Sequence, residues 1–117
     1  MKYIINHRFT SLNNYVNAER TNRHIAAKIK KDETYIGYLS LRGKQPIDCE
    51  FPVRLRFTWF IKNNRTDSDN IVFAKKFILD SMVNAKIIPE DNMKYINGFE
   101  DIIVIDKHER VEIEVIE

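Results

Sequence analysis

The stretch PVRLRFTWFIK, from Pro52 to Lys62, alternates without a break. Val53, Leu55, Phe57, Trp59 and Ile61 fall on one side, and Arg54, Arg56, Thr58, Phe60 and Lys62 on the other. A period of two is the spacing of a β-strand, so this stretch predicts a strand with one apolar face and one basic face. Such a strand needs a sheet beside it and a layer over its apolar side. Asn63-Asn64 supplies the turn chemistry that ends it.

The next pattern has a different period. At about 100° per residue from Asp69, Ile71, Ala74, Ile78, Met82 and Ala85 gather on one side of a helix. Asp69, Phe73, Lys76 and Asp80 gather on the opposite side, as a charged row. Earlier in the chain, Tyr3 to Asn6 reads as a short strand. Ser11 is a good cap for a helix through SLNNYVNAERTNRHIAAKIKK, where Leu12, Tyr15, Val16 and Glu19 recur at helical spacing. Residues 37 to 52 hold Gly37, Gly43, Pro46 and Pro52 and read as loop with at most a short strand. After Gly98, Ile102 to Asp106 and Val111 to Ile116 read as two strands of a hairpin, turning near Lys107 to Glu109. The expected fold is α/β (α+β): one small domain over residues 1–117, with a mixed sheet and two main helices. The order is strand, helix, strand, helix, strand, strand.

Composition narrows the setting. A hydrophobic share of 44% and a charged share of 31% suit a folded soluble domain. Cys49 is the lone cysteine, which excludes a disulfide framework or a thiolate metal cluster and points to a reducing compartment. There is no apolar run of membrane-spanning length and no signal-peptide core, so the expectation is a cytoplasmic protein with no membrane partner. The net charge of +2 hides an asymmetry. Through Arg65 there are thirteen Lys+Arg against five Asp+Glu; from Thr66 there are six against twelve. Either a polyanion-binding surface lies beside a cation-binding one, or the fold interleaves the halves and the difference averages out.

The stretch RTDSDN, Arg65 to Asn70, sets two aspartates at a helix start. One carboxylate there is ordinary capping. A second beside it adds repulsion that a divalent cation relieves. An EF-hand loop from Asp67 fails, because Val72 and Ile78 stand where glycine and glutamate are required. A phosphatase-like nucleophile fails because Asn63, Asn64 and Arg65 separate the aspartates from the strand. His7, His24 and His108 are too scattered for zinc, and there is no glycine-rich phosphate loop. What remains is a hard, oxygen-ligated ion: Mg²⁺, with Mn²⁺ as a substitute and no organic cofactor. Lys76, about 10 Å along the helix from Asp69, reaches towards a phosphate bound there. Carboxylates, a metal and a lysine suit phosphodiester hydrolysis.

D-S-D-N at Asp67–Asn70, K-K-F-I-L-D at Lys75–Asp80 and P-E-D-N at Pro89–Asn92, with the segment Ser11–Lys31, resemble the RusA family of Holliday-junction resolvases in its phage-like branch. The resemblance implies a small α/β homodimer that cuts four-way DNA junctions by paired nicks in recombination and repair, using Mg²⁺. It places the metal-binding aspartates on Asp67, Asp69 and Asp91. The catalytic lysine falls on Lys76 when counted back from Asp80. Counted forward from Asn70 it falls on Phe73, so about one helical turn is inserted. Lys75 is the neighbouring choice, but only Lys76 shares the face of Asp69. The family often has glycine where Lys86 stands, so the turn into Ile87 is expected to differ from a left-handed cap.

Supporting roles follow. Asp80 orients Lys76 through an i,i+4 pair, Glu90 is an outer carboxylate, and Asn70 supports the loop. Arg65 holds a phosphate or neutralises Asp67. Phe73 stacks on a base or meets a second protomer. Arg20, Arg23, Lys28, Lys30 and Lys31 are expected to contact the DNA backbone. Two alternatives remain open: a non-catalytic nucleic-acid-binding or regulatory protein on the same fold, and a broader nuclease of flaps and forks.

Overall fold

The computed structural model describes residues 1–116. The elements are β1 (Lys2–Ile5), α1 (Leu12–Thr21), α2 (Arg23–Leu41), β2 (Val53–Ile61), α3 (Ser68–Val72), α4 (Lys75–Asn84), β3 (Ile96–Ile105) and β4 (Arg110–Ile116). The fold is α+β, with a mixed four-stranded sheet in the order β1-β4-β2-β3. β4 runs antiparallel to both β1 and β2, while β2 and β3 are parallel, joined through α3 and α4.

The alternation of β2 is realised residue by residue. Val53, Leu55, Phe57, Trp59 and Ile61 are all buried. Register carries that face across the sheet: Phe57 lies beside Ile113, which lies beside Tyr3, and Trp59 lies beside Val111, which lies beside Ile5. Those residues join Leu41, Ile71, Ala74, Ile78 and Met82 from the helices in one apolar cluster, so the helices form a single layer on one face. The other face is a polar lattice. Arg56 meets Glu100 at 3.1 Å, Lys2 meets Glu112 at 2.9 Å, and the Arg110 guanidinium lies 3.6 Å from the Phe60 ring centre. The basic face of β2 is thus interleaved with acids from the later strands, and on the sheet the charge asymmetry averages out.

Three expectations are corrected, besides the single helix expected from Ser11 to Lys31. That helix is two, because Asn22, with extended backbone (φ −164°, ψ 115°), ends α1 and caps α2 by accepting from His24 N–H. Residues 37 to 41 continue α2 rather than opening a loop, because Gly37 is where α2 and α4 touch. A Cβ at Gly37 would lie 2.2 Å from Ser81 Oγ and 2.8 Å from Ser81 Cβ. Ser81 Oγ also lies 2.8 Å from the Thr34 carbonyl of α2. The last two strands are not a hairpin, since β2 lies between them. The connecting turn instead crosses the end of β2: Asp106 N–H donates to the Ile61 carbonyl at 2.8 Å, and Glu109 Oε2 accepts from Lys62 N–H at 3.2 Å. Third, the helix expected from Asp69 is two helices. Phe73 and Ala74 interrupt it, with Ala74 at ψ −7°, and Phe77 N–H turns back to the Ala74 carbonyl. The core side survives the break at Ile71, Ala74, Ile78 and Met82. The outer row does not, because angles counted from Asp69 no longer apply beyond Val72. Phe73 accordingly packs inward against Tyr15 and Phe77, at ring distances of 5.4 and 5.5 Å, and is not displayed on a charged face.

α4 ends in a left-handed turn after all. Lys86 sits at φ +61°. Ile87 N–H donates to the Met82 carbonyl and Lys86 N–H to the Val83 carbonyl, the bond pair of a glycine-type cap carried here by lysine.

Candidate functional site

The acidic pair lies at the start of α3. Asp67 occupies the cap position, yet its side chain makes no capping hydrogen bond. Asp69 Oδ1 accepts from Asn70 N–H at 3.0 Å. Both aspartates are exposed, as is Arg65, which forms no ion pair with Asp67. Asn70 is different. It is 7% exposed, and its Oδ1 accepts from Asn13 N–H at 2.8 Å, in the first turn of α1. Asn70 therefore supplies one of the acceptors that the start of α1 lacks, tying the acidic loop to the N-terminal helices.

Lys76 and Asp91 are neighbours, although fifteen residues separate them in sequence. Lys76 Nζ lies 3.1 Å from Asp91 Oδ2 and 3.0 Å from Asp80 Oδ1. Hydrogen bonds to Asp80 and then Asp91 raise the Lys76 pKa above the ordinary lysine range, so its ammonium stays charged. A lysine held this way suits anion binding and charge stabilisation better than proton abstraction. Glu90 beside it accepts from Asn92 Nδ2 at 2.7 Å.

The resemblance requires Asp67, Asp69 and Asp91 to hold one cation. Among the described residues, no three His, Cys, Asp or Glu side chains are gathered to hold a metal ion. Asp91 faces Lys76 instead. As the side chains stand, the donor set does not fit a three-carboxylate metal site.

A second lysine–acid pair was not expected from the sequence. Lys75 Nζ lies 2.6 Å from Asp101 Oδ2, and Asp101 Oδ1 accepts from Trp59 Nε1 at 3.0 Å. The Lys75 ammonium also lies 4.6 Å from the Phe99 ring centre and 5.5 Å from that of Phe57. One signal for this was legible: Asp101 shares its strand face with Phe99, Ile103 and Ile105, where an unpaired carboxylate is out of place. The pair also separates the two lysines. Lys75 is engaged by the sheet, whereas Lys76 is directed to Asp80 and Asp91.

A groove of about 970 Å³ runs between α2 and α4. Lys30 and Lys31 line it on the α2 side, and Asp80, Glu90 and Asp91 on the other. Tyr35 and Tyr38 stack within it at 6.2 Å and 19°. The fold thus brings two of the five basic residues expected at DNA to the acidic turn. Lys28 pairs with Asp32 at 2.7 Å, and Arg20 and Arg23 are exposed and do not line the groove. Neither Asp67 nor Asp69 lines it. No helix among the described residues is long and apolar enough to cross a membrane. No protein-family model matches the chain, and no characterised protein matches it in sequence.

Proposed function

We propose that this protein is an endodeoxyribonuclease of the junction-resolving kind, dependent on Mg²⁺ or Mn²⁺ and acting on four-way DNA as a homodimer. The observation that carries the proposal is the contact between Lys76 and Asp91. The resemblance names these two residues for one site, and the chain brings them within 3.1 Å from separate elements. In this reading the charged Lys76 ammonium, directed by Asp80 and Asp91, holds a phosphate oxygen. Lys30 and Lys31, which line the same groove, would then hold the neighbouring backbone, contacts that position DNA without reading its sequence. The dimer, the metal and the roles of Asp67 and Asp69 come from the resemblance alone.

A second reading is favoured by a specific observation. Among the described residues the three aspartates are not gathered, as expected of a DNA-binding or regulatory protein without turnover. One assay separates the readings. Four-way junctions, flaps and linear duplex are incubated with the protein and Mg²⁺ or Mn²⁺, and nicking and binding are followed together. The resolvase reading expects paired nicks in the junction, lost in Asp69→Asn and reduced on the order of 10²–10³-fold in Lys76→Ala, with binding retained in Asp69→Asn. Binding without any nicking by the unmodified protein overturns it in favour of the second reading. Equal cutting of flaps points to the broader nuclease.

A further inference from the structure

Ala27, Lys31, Tyr35 and Tyr38 recur along α2 at steps of three or four residues, which sets them on one face. That face lines the groove shared with α4, and Lys30 extends the same wall. Tyr35 is 57% exposed, and Tyr38 stacks against its ring at 6.2 Å and 19°. One ring thus steadies the other and leaves aromatic surface open to a further planar group. Thr34 lines the same groove with a buried hydroxyl that no described residue satisfies, as a bound ligand or water would. The charges of the groove are segregated. On the α2 wall, Asp32 is paired with Lys28, while Lys30 and Lys31 belong to no ion pair among the described residues. The opposite wall carries carboxylates: Asp80 and Asp91 around Lys76, and Glu90, which accepts only from the neutral Asn92 amide.

An occupant complementary to this groove is flat, anionic at one end and rich in N–H donors at the other. A nucleotide has that form: a phosphate, then one sugar, then a planar base whose edge carries N–H groups. By helix rise, Lys31 and Tyr35 stand about 6 Å apart along α2, a separation that a single sugar bridges. An aromatic side chain of an acidic peptide fits less well. It sets an apolar edge against Glu90 and Asp91 and strips them of water without replacing the lost hydrogen bonds. In a duplex both faces of a base are covered by its neighbours, so only a base that has left the stack can lie on a tyrosine. We infer that the groove between α2 and α4 takes an unstacked nucleotide, its base laid on Tyr35 and its phosphates on Lys30 and Lys31. The inference rests on the proposal that DNA follows this groove, and adds that the strand lying there is unpaired.

The test is fluorescence anisotropy of labelled oligothymidylate, free and annealed to its complement, titrated with the full chain in EDTA. Tyr35→Ala should weaken binding of the single strand by roughly tenfold or more, the loss of one stacked base, while Tyr35→Trp keeps it. Duplex binding should stay within about twofold in both variants, because a paired base offers Tyr35 no free face. A strand carrying one 2-aminopurine should lose fluorescence on binding, as that base does when stacked, and keep it with Tyr35→Ala. Polyglutamate, an acidic chain without bases, should not displace the strand. No binding of the single strand, an affinity unmoved by Tyr35→Ala, an equal loss for the duplex, or displacement by polyglutamate overturns the inference. If Tyr35→Ala fails to fold, the unmodified protein decides: 2-aminopurine left unquenched on binding overturns it. Nicking of junctions with Mg²⁺ is read separately. Nicking without Tyr35-dependent binding overturns this inference alone, and Tyr35-dependent binding without nicking overturns the nuclease reading alone.

Discussion

Lys86 holds a backbone conformation that favours glycine, and nothing beyond the end of α4 requires a lysine side chain there. An L-residue in this region is disfavoured by about 1–2 kcal/mol, part of which glycine loses again through the greater freedom of its unfolded chain. Lys86→Gly is expected to stabilise the protein by about 0.5–1 kcal/mol in urea unfolding, with an unchanged m-value. Glu112 gives the acid limb. The Lys2 ammonium, and after it the Arg110 guanidinium, hold its carboxyl below the ordinary value of about 4.5. A carboxylate whose pKa is lower in the folded state contributes stability above its unfolded value and loses it as pH falls through the folded one. The unmodified protein should therefore lose stability below pH 4.5 more steeply than Glu112→Gln, as thermal melts across pH 3 to 6 would show. Of the candidate site, the Lys76–Asp80 pair was legible because its i,i+4 spacing is local, whereas Asp91, expected beside Asp67 and Asp69, faces Lys76 from fifteen residues away. The Lys75–Asp101 pair was not, because which strand a helix end lies against is not written in the helix or in the strand.

At the scale of elements, the period-two pattern of β2 and the Ser11 cap of α1 were readable from neighbouring residues. Ser11 Oγ accepts from Asn14 N–H at 3.2 Å, as a cap should. The length of α2 was misread because glycine is normally a helix breaker, worth up to about 1 kcal/mol against alanine. Here glycine serves close packing. Gly37→Ala should therefore destabilise by about 1–3 kcal/mol, since the added methyl meets Ser81, and Gly37→Ala with Ser81→Gly should recover part of that loss. Chemical denaturation of the two variants checks the prediction; a stabilised Gly37→Ala would show that α2 and α4 separate freely. The break between α3 and α4 was hidden for another reason. Neither glycine nor proline marks it, and it follows from tertiary demands, with Asn70 drawn to α1 and Phe73 drawn between Tyr15 and Phe77.

For the whole molecule, charge sets the expected response to salt. Lys30 and Lys31 line the groove, while Lys28 is paired with Asp32. If DNA follows that groove, replacing Lys30 and Lys31 by alanine should reduce the salt slope of log K by about two, and Lys28→Ala by less. Fluorescence titrations of a four-way junction between 50 and 200 mM salt would measure it. An unchanged slope would place the DNA elsewhere. The strand order carries a last consequence. Among the described residues β1 has β4 as its one neighbouring strand, and Tyr3 rests beside Ile113. On a ribosome, then, the first strand waits for β4: the sheet cannot close until Arg110–Ile116 has been made, and a nascent chain halted before Arg110 would pair β2 with β3 but leave β1 unmated.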